Sequence, residues 1–167
     1  SVISSKNNGI NSIGNSAYLY SNNATYNDGH GIISLGDNTT LYNSRTYYNN
    51  KSGIYSEGYN SNLTLNYAYF NNDHGIYSKG NNTTINQAYA SYNNKNGIFI
   101  SGNNNTVTNS SILLNNYSGI NSTGNGNRFT SIESRYNKKN GVHLTGFNNT
   151  LYSSSIRNNS WDGVYSI

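Results

Sequence analysis

Cysteine, proline and methionine are absent from this sequence, and charge is scarce. Without cysteine no disulfide framework can hold the fold, and the redox compartment stays open. Charged residues make up 10% of the chain, against about 25% in an ordinary domain. Apolar residues make up 33%, where roughly 45–50% is usual. Such a deficit alone reads as disorder, but disordered chains favour proline and charge and lack aromatics. Here there are 17 Tyr and no Pro, so a folded chain with an amide and hydroxyl surface is expected. The ten basic residues are spread along the chain with no cluster beyond Lys138-Lys139, whereas a nucleic-acid binder carries a basic stripe. No apolar run approaches the roughly 18 residues of a helical membrane span. Neither nucleic acid nor a membrane span is therefore expected. The chain opens at Ser1 with no initiator Met and no leader peptide, so it is expected to be a processed product or an excerpt.

What is present is a repeat. Gly-Ile or Gly-Val pairs begin at Gly9, Gly31, Gly53, Gly75, Gly97, Gly119, Gly141 and Gly163, always 22 residues apart. A second glycine column lies five residues on, from Gly14 through Gly58 and Gly80 to Gly146. Numbering each unit from its first glycine, position 2 is Ile or Val throughout. Position 11 holds Leu19, Leu41, Leu63, Ile85, Val107, Phe129 and Leu151. Position 18 is mostly aromatic (Tyr26, Tyr48, Phe70, Tyr92, Tyr136), and position 19 is Asn in every unit, from Asn27 to Asn159.

The apolar residues are too sparse for a helical i, i+3, i+4, i+7 stripe, whereas period-2 runs fit. Three short strands per unit follow, at about positions 1–5, 9–13 and 15–18. Corners are expected at the position-6 glycine and the position-19 asparagine, because Gly and Asn tolerate positive φ. Each unit is then one coil, and stacked coils bring identical positions about 4.8 Å apart. Ladders of Ile at position 2, Leu at 11 and aromatics at 18 should form the core, with the small Ser column at position 4 also pointing in. The position-19 amides, which both donate and accept, can bond from coil to coil.

The stretch Asn93–Val107, NNKNGIFISGNNNTV, carries a motif that resembles the parallel β-helix repeat family, and the likeness covers the whole chain. The resemblance implies an all-β fold, a right-handed three-sided parallel β-helix of about eight coils, with residues 1–167 as a single domain. That family includes pectate lyases and other polysaccharide-acting enzymes. The Asn- and Tyr-rich, uninterrupted form is most similar to microbial, particularly archaeal, surface proteins.

Chemistry is harder to find along the chain. The six acids, Asp28, Asp37, Glu57, Asp73, Glu133 and Asp162, fall at six different repeat positions. No carboxylate pair collects on one face, which acid–base or calcium chemistry would need. His30 and His74 share position 22 but lie two coils apart, too far to hold one metal. No catalytic residue, metal or cofactor is therefore assigned, and the chain is expected not to be an enzyme. Outward Tyr55, Tyr77 and Phe99, with Tyr47, Tyr69, Tyr67 and Tyr89, are candidates for a contact surface. Asn38, Asn82, Asn104 and Asn148 are glycosylation sequons at corner position 8.

The chain begins at position 15 and stops at position 5, with no capping segment at either end. Terminal coils of repeat proteins expose core and strand edge. End-to-end stacking of copies is thus expected, Val2, Ile3 and Ile10 meeting Trp161, Val164 and Ile167; the alternative is an excerpt of a longer solenoid. The functional expectation is an extracellular or cell-surface structural protein, a subunit of a filament, sheath or surface layer whose partners are its own copies and glycans. The alternatives are a carbohydrate-binding adhesin, or a polysaccharide lyase or hydrolase on the same fold.

Overall fold

A computed structural model describes Ser1–Ile167. Twenty-three short strands and no helix make up the chain. They assemble into three parallel sheets of eight, eight and seven strands. Each coil supplies one strand to each sheet, as in Ile54–Ser56, Asn62–Thr64 and Tyr67–Tyr69. The register is the sequence period itself: Ile54 pairs with Ile76, Leu63 with Ile85 and Ala68 with Ala90, each one unit apart. The result is a three-sided solenoid of about eight coils, as the glycine period requires.

Two of the three core ladders are those read from the sequence. Ile32 to Val142 at position 2 and Leu41 to Phe129 at position 11 are fully buried. Burying each such side chain contributes about 1.5–3 kcal/mol. Ser34, Ser56, Ser78 and Ser122 at position 4 are buried beside them. The third ladder differs from expectation. It is position 16, formed by Ala24, Thr46, Ala68, Ala90, Ile112 and Ser134, all buried. Position 18 instead projects from a corner: Tyr26, Tyr48, Phe70 and Tyr92 are exposed and stack ring on ring at 4.8–5.0 Å. The third strand is followed so closely by its corner that only one of its side chains turns inward.

The corners also lie elsewhere than expected. Positive φ occurs at positions 8, 13 and 18, for example at Asn60, Leu65 and Phe70. Position 6 is glycine mainly for a different reason. A Cβ on Gly58 would run into the backbone carbonyl of Gly36 in the preceding coil, so contact between coils selects it there. The expected positive φ is found in this column only in the last coils, at Gly146 and, near the extended limit, Gly124. Position 19 forms the expected amide ladder, buried from Asn27 to Asn137. Asn49 donates to Asn71 at 2.9 Å, Asn71 to Asn93 at 3.1 Å and Asn93 to Asn115 at 3.0 Å. A Cβ on Gly53 would lie 2.6 Å from the Asn71 amide nitrogen, so the first glycine column makes room for this ladder.

Candidate functional site

Stacking gathers residues that the sequence scatters. Positions 20 to 22 form the last corner of each coil, just before the first-glycine column. Lys6, Lys51, Lys95, Lys138 and Lys139 all fall there, leaving Lys79 as the sixth lysine of the chain elsewhere. The reading of a chain without a basic cluster is therefore corrected: the lysines are far apart in sequence and share one edge in space. Asp28, Asp73 and Asp162 lie on the same edge, so the cations outnumber the anions five to three.

Between this edge and the outward side chains of position 3 runs a groove along the solenoid. Both cavities of the molecule lie on it. One, of about 410 Å³, is lined near the first coils by Lys6, Asn11, Asp28 and Lys51. In the middle coils aromatic side chains fill the groove. His30 packs on Tyr55 at 5.0 Å, Tyr55 on Tyr77 at 5.1 Å, and Tyr77 and His74 on Phe99 at 4.9 Å each. Beyond Phe99 position 3 becomes Asn121, the filling stops, and the groove opens into a cavity of about 550 Å³. Tyr117, Lys139, His143, Trp161, Asp162 and Tyr165 are among its lining residues.

Within this cavity the Lys139 ammonium lies 4.1 Å from the Tyr117 ring centroid and 5.0 Å from that of Trp161. It is thus held between two aromatic faces, a contact worth about 0.5–2 kcal/mol. His143 and Tyr165 meet edge to face at 5.0 Å. Upstream, Asp73 pairs with Lys95 at 2.9 Å. It also lies 3.5 Å from His74, but burial pushes the His74 pKa down to about 4 and leaves that ring neutral at pH 7. Lys95 is therefore the ionic partner of Asp73. His30 is lowered by burial as well.

The sequence-predicted residues divide among several surfaces. Tyr55, Tyr77 and Phe99 are half-buried in the groove. Tyr47, Tyr69, Tyr67 and Tyr89 lie on the sheet of positions 15–17, stacked in pairs at 5.6 Å and 4.9 Å. Asn38, Asn82, Asn104 and Asn148 are exposed at one corner with φ near 55°. Val2 and Ile10 are half-buried on the first coils and Ile3 is exposed; Trp161, Val164 and Ile167 are exposed on the last. Glu57 bonds Lys79 at 2.6 Å, and Glu133 takes Arg135 at 3.2 Å, both as surface pairs. Lys139, His143, Asp162 and Tyr165 were missed as a group. Their shared signal is the repeat position, since 21, 22 and 3 are neighbours across the corner.

No family model matches the chain, and no curated protein does. Solved structures do. The periplasmic alginate epimerase AlgG, as a point mutant, superposes with a TM-score of 0.67 at 23% identity, over 84% of this chain and 38% of that one. This chain is a parallel β-helix. A double mutant of AlgG gives 0.63 at 16% identity, over 90% of this chain and 47% of the other. The Azotobacter vinelandii mannuronan C-5 epimerase AlgE4 A-module gives 0.57 at 16%, over 89% and 57%. This chain thus spans between 38% and 57% of the length of these three structures. These matches correct the expectation that the chain is not an enzyme. That expectation rested on a regular solenoid without paired carboxylates, and the solenoids it superposes on are named as enzymes.

Proposed function

We propose that this β-helix acts on an acidic polysaccharide lying along the groove, and that its chemistry is removal of the proton beside a sugar carboxylate. The observation that carries the reading is the stacking of five lysines on one edge of a groove that widens around Lys139, His143 and Tyr165. A row of cations suits a polymer bearing a regular row of anions. The faces of Tyr117 and Trp161 suit the apolar faces of pyranose rings. Hydrolysis through two carboxylates has weaker support, because Asp162 is the single carboxylate lining the wide cavity. The matched enzymes are named for alginate and mannuronan, polymers of uronic acids, which favours the same substrate class.

The roles follow from chemistry. The Lys139 ammonium neutralises the sugar carboxylate and stabilises the negative charge that grows on it as the neighbouring C–H bond breaks. His143 accepts that proton. Tyr165, beside it, is placed to donate a proton. Reprotonation of the carbon on its opposite face, by water because Tyr165 lies on the His143 side, inverts the sugar. Loss of the adjacent glycosidic oxygen, which leaves with a proton, gives an unsaturated end instead. An extracellular or periplasmic setting suits such a polymer, and AlgG is named as periplasmic.

The test is incubation with polyuronates in deuterium oxide, reading deuterium at the carbon beside the carboxylate by NMR and new unsaturated ends by absorbance. Wild-type protein is expected to show one or both, with His143→Ala slower by about 10²–10⁴-fold. Absence of both signals with every acidic polysaccharide, or unchanged turnover in His143→Ala, would overturn the proposal.

A further inference from the structure

We infer that the groove reads its polymer in steps of two sugars, with Lys51, Lys95 and Lys139 each taking the carboxylate of every second residue. The inference rests on the polysaccharide reading above and adds a register to it. All three lysines occupy position 21, on alternate coils, separated by 44 residues each time. Two strand spacings place them roughly 10 Å apart along the axis. One coil, about 4.8 Å, is close to the advance of one pyranoside in an extended chain. In a ribbon with twofold character, successive substituents face opposite sides. Carboxylates on one side then recur every second sugar, which is the interval of the lysines.

The coils between the lysines fit the same register. Asp73 and Tyr117 stand at position 21 there, a carboxylate and a ring where a second row of anions would meet no cation. Asp73 would repel a carboxylate on its own coil, so it discriminates against a polymer presenting an acid at every sugar on this side. Its present bond to Lys95 is no obstacle. Both side chains reach solvent, with exposures of 26% and 50%, and an exposed pair of this kind is worth at most about 1 kcal/mol. An arriving sugar carboxylate replaces the Asp73 contact with one of equal kind. The half-buried column of Tyr55, Tyr77 and Phe99 lies along the floor between Lys51 and Lys139. Lys139 opens onto the cavity that holds His143, so the sugar whose acid it binds is the reacting one. The sugars over Lys95 and Lys51 are held two and four places away.

The experiment is calorimetric titration of 1,4-linked oligouronates of defined length, from the disaccharide upward, at low ionic strength. Affinity is expected to rise in steps, once when the chain first spans two lysines (about three sugars) and again when it spans three (about five). Each step should be about three- to tenfold. Lys51→Gln should remove the second step and weaken trisaccharide binding by no more than about twofold, because the Lys95–Lys139 register remains. Lys51 is exposed and makes no ion pair, so this variant is not expected to disturb folding. A smooth rise of affinity with length, or equal weakening of short and long oligomers by Lys51→Gln, would overturn the register while leaving the polysaccharide reading in place. Failure of every oligouronate to bind would overturn both.

Discussion

Asn71 sits in the middle of the position-19 ladder and shows what one polar side chain does in a chain so poor in apolar residues. Its carbonyl oxygen accepts from the Asn49 amide and the Asn49 backbone, and its own amide donates to Asn93 and to the Thr46 carbonyl. Asn71→Leu keeps the volume and strands those buried partners without water. Each unsatisfied group costs about 1–3 kcal/mol, so a loss of roughly 3 kcal/mol is expected in denaturant unfolding. His74 gives a second prediction at this scale. Its folded-state pKa of about 4 lies below the ordinary histidine value of 6.5, because burial opposes the charged ring. A group whose folded pKa is depressed in this way binds more protons when unfolded. Its contribution is therefore whole above pH 6.5 and is lost as pH falls toward 4, by about 3 kcal/mol in all. The facing charges act in opposite senses, Asp73 raising the pKa and Lys95 lowering it. His74→Asn, a residue already found in the same column at Asn96 and Asn140, should flatten the fall in melting temperature between these pH values. An equally steep profile in the variant would contradict the assignment.

At the scale of the coil, the strands at positions 2–4 and 10–12 were legible because Ile, Leu and Val mark their inward side. The third ladder was not. Ala24, Thr46, Ala68 and Ser134 are small or polar, and their burial comes from the narrowness of the solenoid rather than from hydrophobicity. The aromatic column at position 18 is the more hydrophobic in the sequence, although its left-handed backbone turns it out of the core. That same backbone makes a prediction. Leu65 holds φ at 56°, a conformation costing a leucine about 1–2 kcal/mol, while the equivalent position is Asn43 and Asn109 in other coils. Leu65→Asn should therefore raise the stability by about 1 kcal/mol, seen as a higher melting temperature in calorimetry. A lower one would mean that the half-buried leucine packs better than its strain costs.

For the whole molecule, the architecture was present in the glycine spacing, but the groove was not. Lys51, Lys95 and Lys139 look dispersed because linear distance hides a shared repeat position. Acids were the residues expected to mark a catalytic face, and the acids are scattered. The widening of the groove has an equally indirect origin, in the replacement of an aromatic by Asn121. Only the stacked coils turn that single change into a cavity.

The amide ladder of position 19 carries one more consequence. Every side-chain bond in it runs the same way, from Asn27 to Asn49 and onward from Asn137 to Asn159. The amide dipoles are therefore aligned head to tail along the axis, as peptide dipoles are in a helix, with the positive pole toward the last coils. The solenoid is thus electrically polar from end to end. On the proposed polysaccharide reading, this polarity adds to the lysine edge in drawing a polyanion toward the end where Lys139 and His143 stand.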